Sequence, residues 1–109
     1  MIARVFGSGR PLVAIHGFGV DHRIMLPLMD VVQDLPWRLV LLDLPWAEAA
    51  AGTSTAASAS EVADDVLAEI DDYLGDEPFA VIGNSFGGMI ARHVAHERRD
   101  RVLGVATLA

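Results

Sequence analysis

Apolar residues fall into short continuous runs that alternate with stretches of helical spacing. Ile2 to Phe6 and Leu12 to Ile15 are runs of strand length joined by Gly7-Ser8-Gly9-Arg10-Pro11, which predicts strand, turn, strand. From Asp21 the period changes, and Ile24, Leu28, Val31 and Leu35 recur at steps of four, three and four. Such steps trace one face of a helix. Pro27 lies inside the pattern, so either the helix begins near Leu26 with the proline in its first turn, or it is kinked there. Leu35-Pro36 stops it, and Trp37 to Leu42 is a nearly continuous apolar strand that ends at Asp43-Leu44-Pro45-Trp46. Between Ala47 and Ala59 only small residues dominate, which predicts a mobile loop.

Ser58-Ala59-Ser60-Glu61 fits a capping box, and Val62, Val66, Ile70 and Leu74 follow at four-residue steps with Ala63 and Leu67 beside them. A helix to about Leu74 is predicted, closed by Gly75. Then come a strand at Phe79 to Ile82, a helix from Met89 to about Arg99, and a strand from Val102 to Leu108. This alternation predicts an α/β fold, a mostly parallel sheet of about five strands flanked by helices on both faces. With the strands numbered along the chain, the expected order is 1-3-2-4-5. Right-handed crossovers then put the first helix on one face and the other two on the opposite face.

Composition narrows the function classes. The 109 residues suit a single domain spanning 1–109, and 52% hydrophobic with 21% charged residues suits a packed chain rather than a disordered one. A net charge of -7 argues against nucleic acid or an anionic membrane as a partner. Cysteine is absent, which removes disulfides and thiolate chemistry together. The N-terminal segment turns polar at Gly7-Ser8-Gly9-Arg10 before a signal-type apolar region forms, so a cytoplasmic protein is expected. Asp64, Asp65, Glu69, Asp71 and Asp72 read as a solvated helix face, since no glycine-punctuated calcium loop surrounds them. Gly17-Phe18-Gly19 lacks the third glycine of a dinucleotide fingerprint, with His22 in its place. Met25, Met29 and Met89 read as core residues, and no cofactor is expected.

The candidate chemistry lies at Gly83-Asn84-Ser85-Phe86-Gly87-Gly88, between a strand and a helix. A serine hydroxyl becomes a useful nucleophile only when held clear of its backbone, near a base and beside donors for an oxyanion. Gly83 and Gly87 carry no Cβ, so the turn can tighten and the helix can pack close to the strand. The expected strand order reverses between the second and fourth strands, where ligands of open α/β sheets bind. His16-Gly17-Phe18-Gly19 leaves one of these strands and Ser85 the other.

On His16-Gly17-Phe18-Gly19, Asp43-Leu44-Pro45 and Gly83-Asn84-Ser85-Phe86-Gly87-Gly88, in that order and spacing, the chain resembles the N-terminal portion of an α/β-hydrolase. The resemblance implies a serine hydrolase acting on an ester or related acyl substrate through an acyl-enzyme at Ser85. It implies the backbone N–H groups of Phe86 and Phe18 as oxyanion donors, with His16, Gly17 and Gly19 shaping the oxyanion loop. A serine at this position points away from the family's dehalogenase and epoxide-hydrolase branches, which use an aspartate nucleophile. Where the family continues Asp-x-Pro-Gly-x-Gly, this chain has Pro45-Trp46-Ala47-Glu48.

In the family the triad's acid and histidine follow the nucleophile on later strands, and 24 residues follow Ser85 here. The expectation is half a site, inactive in turnover unless completed. A helix carries His93 and His96 more than two turns from Ser85, which fits a surface or packing role. His22 falls near the start of the first helix, and Asp43 suits tying down its loop through backbone hydrogen bonds. Arg98 and Arg99 suit the negative end of the last helix. An uncovered apolar sheet face and edge imply self-association or a complementary C-terminal chain as partner. The alternative reading is a non-catalytic truncated hydrolase serving as an interaction module, or a fragment.

Overall fold

Leu39 to Leu42 and Val13 to Ile15 are apolar on both faces of their strands, and every one of these side chains is buried, as in a sheet covered on both sides. The computed structural model describes residues 1–50 and 58–109, without side chains at 48–50. In chain order it holds β1 (Ile2–Gly7), β2 (Arg10–Ile15), a 3-10 turn (His22–Met25), α1 (Leu28–Val32) and β3 (Trp37–Leu42). Then follow α2 (Pro45–Ala50), α3 (Ala59–Leu74), β4 (Phe79–Asn84), α4 (Phe86–Glu97) and β5 (Val102–Leu108). The sheet order is β1-β3-β2-β4-β5, the order expected from the sequence. All pairs are parallel except β1 with β3. β1 and β2 follow one another in the chain, yet β3 lies between them. The connection turns at Gly7 and Gly9, both at positive φ, and a Cβ on Gly9 would run into the Pro36 carbonyl.

The two sheet faces carry separate cores. Val62, Val66 and Ile70 of α3 and Ile90, Ala91 and Val94 of α4 pack on Val13, Ile15, Val40, Leu42, Phe79 and Val81. On the opposite face Met25 and Val32 pack on Ala14, Leu39 and Leu41. One helix is thus set against two, as the crossover argument requires. α3 runs as its period predicts: Ser58 Oγ accepts from the Glu61 backbone N–H and the helix closes at Gly75, φ 59°.

Three expectations about the elements and the core need correction. The first helix is interrupted at Pro27, as one of the two arrangements expected there allowed, with a 3-10 turn before it and α1 after it. Its buried face is different: Met25 and Val32 are buried, whereas Ile24, Val31 and Leu35 are 45%, 64% and 50% exposed. Apolar residues surround this segment on almost every side, so a period alone picks the wrong stripe. The second correction concerns the loop predicted from Ala47, because Pro45–Ala50 is helical. Proline is tolerated in a first turn and alanine is the best helix former. The rest of that loop, 51–57, lies outside the described residues. Third, Met89 is 51% exposed rather than core.

Asp71 belongs to no merely solvated face. Its carboxylate accepts from Arg98 Nε at 3.0 Å, Arg98 Nη2 at 2.6 Å and Arg101 Nη1 at 2.8 Å, which ties α3 to the α4–β5 turn. These guanidiniums hold the Asp71 carboxyl down at about 2. Arg99 Nη1 donates to the His96 carbonyl, as suits a helix C-terminus. Among the described residues no helix is long and apolar enough to cross a membrane.

Candidate active site

Three strand ends build the site, because β3, β2 and β4 are neighbours. Asp43 leaves β3, His16 leaves β2 and Ser85 leaves β4. Ser85 has φ 54° and ψ -116°, and among the described residues it alone has positive φ without being glycine. This conformation is costly for a residue with a Cβ, on the order of 1–3 kcal/mol, and persists only where the surroundings impose it. They do so here. The Ser85 N–H donates to the Leu108 carbonyl at 2.7 Å, and the Gly88 N–H donates to the Ser85 carbonyl at 2.8 Å. A Cβ on Gly83 would overlap the Gly87 carbonyl, and one on Gly87 would overlap the carbonyls of Ile15 and His16. Ser85 is exposed and its side chain makes no capping hydrogen bond to α4.

Phe86 is the first residue of α4, where backbone N–H groups have no partner within the helix. The loop after β2 lies against this turn, since an ideal Cβ on Gly17 would stand 3.4 Å from Ser85 Cβ and 3.2 Å from the Asn84 carbonyl. Phe18 follows, 75% exposed, and Gly19 takes φ 79°. The loop carrying Phe18 and the turn carrying Ser85 and Phe86 therefore meet at one place.

His16 is fully buried, and its partners fix the tautomer. The Leu44 N–H donates to Nε2 at 2.9 Å, so Nε2 carries no proton, and Nδ1–H donates to the Gly17 carbonyl at 2.8 Å. Burial pushes the imidazole below its ordinary value, against smaller opposing effects of the Gly17 carbonyl and Asp43. A neutral His16 thus joins the start of the Phe18 loop to the segment after β3.

Asp43 Oδ1 accepts from the His22 backbone N–H at 2.9 Å and lies 3.0 Å from His22 Nδ1. This is the loop-tying role expected of Asp43, with a histidine ring added that the sequence reading missed. Asp21, His22 and Asp43 offer donor atoms within 4.8 Å of one another. Asp21, however, accepts from the Arg23 backbone N–H and from its guanidinium, which holds the carboxyl down at about 2. These groups form a hydrogen-bonded anchor, and among the described residues nothing further points to a metal. His93 and His96 lie along α4, where His93 pairs with Glu97 at 3.9 Å.

Trp46 was also missed as a member of this region. Its ring centroid lies 5.0 Å from Phe86, 5.2 Å from Phe18 and 5.8 Å from His16. The available signal was a large aromatic immediately after Asp43-Leu44-Pro45, where a turn would call for a small residue. Beside Trp46 a groove of about 580 Å³ opens, lined by Gly19, Val20, Asp21, Arg23, Ile24 and Ala47.

A model of the α/β hydrolase fold matches residues 10–109. The chain belongs to the α/β-hydrolase fold family. Over 111 aligned positions it is 35% identical to the dihydrolipoyllysine-residue acetyltransferase component of the acetoin cleaving system of Cupriavidus necator, covering 98% of this chain and 28% of that protein. It is 30% identical over 97 positions to a pimeloyl-[acyl-carrier protein] methyl ester esterase of Legionella pneumophila, covering 89% of this chain and 36% of the esterase. Among solved structures, an α/β superfamily hydrolase from Oenococcus oeni superposes with a TM-score of 0.80 at 24% identity, over 95% of this chain and 39% of that one. Epoxide hydrolases also share the fold. The α/β-hydrolase chain described here spans about a third of the length of the curated relatives it matches.

Proposed function

We propose that this chain is the nucleophile-bearing portion of a serine hydrolase, attacking an ester or related acyl carbonyl with Ser85 Oγ. The backbone N–H groups of Phe86 and Phe18 receive the developing oxyanion. The observation that carries this reading is the strained, exposed Ser85 at φ 54° on a turn whose glycines allow no Cβ. Strain of this kind collects at functional sites. Methyl ester esterases among the relatives support an ester over other acyl compounds. The nucleophile here is a serine, which supports acyl transfer over the opening of an epoxide.

A fluorophosphonate probe tests the reading. Ser85-dependent labelling of the chain is expected, since an oxyanion hole by itself gives about 10³ to 10⁴ over water. Labelling that persists in Ser85→Ala, or none in the wild type, would overturn it.

A second reading, an interaction module, is favoured by one observation. Ile24, Val31 and Leu35 are exposed apolar residues in and around α1, and Leu103, Val105 and Leu108 are exposed on the edge strand β5. We propose self-association or a complementary chain as the cover for this surface, with either reading of Ser85.

A further inference from the structure

Trp46 touches three elements at once. Its ring packs edge-on against Phe86 at 75° between planes, tilts against Phe18 and meets His16 near perpendicular. Phe86 and Phe18 are the two residues whose backbone N–H groups stand as proposed oxyanion donors, one on a helix and one on a loop. The loop side is weakly determined by its own backbone: Phe18 sits between Gly17 and Gly19, and glycine populates many conformations. The Trp46 side is firmly held. The Ala47 N–H donates to the Leu44 carbonyl at 2.9 Å, and the Leu44 N–H donates to the buried His16. A rigid ring anchored to the ends of β3 and β2 thus bears on both donor residues.

From this geometry we propose that Trp46 is a positioning residue for the oxyanion hole, setting the separation and aim of the Phe18 and Phe86 amides. The inference rests on the reading of Ser85 as nucleophile. Among the described residues the buried indole N–H has no hydrogen-bond partner, and the contacts to Phe18 and Phe86 are made by the ring itself. Another flat aromatic ring replaces it, and an aliphatic side chain does not.

The experiment compares wild type, Trp46→Phe and Trp46→Leu by fluorophosphonate labelling of Ser85, with kinact and KI separated. Losing one oxyanion donor outright costs about 10²–10³ in rate, and a displaced donor costs less. Trp46→Leu is expected to lower kinact about 10- to 100-fold with KI little changed, and Trp46→Phe to recover most of it. In parallel, amide residual dipolar couplings of the same chains are expected to change at Phe18 and Phe86 together in Trp46→Leu and to return in Trp46→Phe. A Leu variant labelled at the wild-type kinact, a loss confined to KI, or a Phe variant no better than Leu overturns the proposal. Should the wild type take no label, the acyl-enzyme reading falls by itself, and the dipolar couplings decide. Concerted change of the two amides' couplings then upholds the positioning role, and unchanged couplings overturn it.

Discussion

Ser85 and His16 show how much rests on single residues. Ser85→Gly removes the only strained non-glycine φ among the described residues. Relief of about 1–3 kcal/mol, less about 0.5–1 for the freer unfolded chain, leaves an expected gain near 1 kcal/mol. Chemical denaturation checks this, and a loss of stability would contradict it. His16 sets a pH dependence. Its folded pKa is lowered by burial from 6.5, so the unfolded chain binds the proton more readily in the interval below that value. Stability is therefore full above about pH 6.5 and declines as pH falls from there toward the folded pKa. Protonating Nε2 would also set it against the Leu44 N–H, two donors facing each other. Urea midpoints at pH 8 and pH 5 are expected to differ in the wild type and to differ less in His16→Gln, whatever that variant's absolute stability. An undiminished difference in His16→Gln would contradict the assignment.

Elements differ in how legible they were, and for physical reasons. α3 declares itself: its apolar positions keep one stripe over four turns, polar residues fill the remainder, and Ser58 and Gly75 mark both ends. The segment around α1 has no such contrast. Ile24, Met25, Leu26, Leu28, Met29, Val31 and Val32 nearly encircle it, and only the sheet decides which of them go inside. α2 hides in a run of alanines that reads equally as loop or helix. At the site, His16, Ser85 and the glycines could be placed from their strand-ending positions. The Trp46 contacts and the His22–Asp43 pair could not, because both depend on how three loops fold over one another. At this scale the clamp of Asp71 on Arg98 and Arg101 can be tested. The Asp71 side chain is 41% exposed, so solvent screening limits its worth to about 1 kcal/mol. Asp71→Asn is expected to lose about that much at pH 7. Because the folded pKa is depressed from 3.8 to about 2, the contribution is present above about 3.8 and is lost as pH falls through about 2. Thermal melts of both chains at pH 7 and pH 2 should lie closer together at the lower value; a constant offset would exclude the clamp.

Two buried apolar clusters hold the described residues together, yet Ile24, Val31, Leu35 and the β5 edge are uncovered by any described element. Exposed edges and patches of this kind favour association. Light scattering is expected to show self-association of the isolated chain, reduced in Val31→Glu. That substitution replaces no core residue, since Val31 is 64% exposed. A monodisperse wild-type monomer would contradict the expectation. Fold and site meet in the sheet order, which puts the ends of β3, β2 and β4 side by side and so assembles Asp43, His16 and Ser85. Family membership follows from the match over residues 10–109, and the catalytic reading from the strained serine. Intact-mass analysis after fluorophosphonate treatment tests that reading most directly. One adduct, mapped to the peptide containing Ser85 and absent from Ser85→Ala, is the result the account predicts; no adduct, or one that survives the substitution, would contradict it.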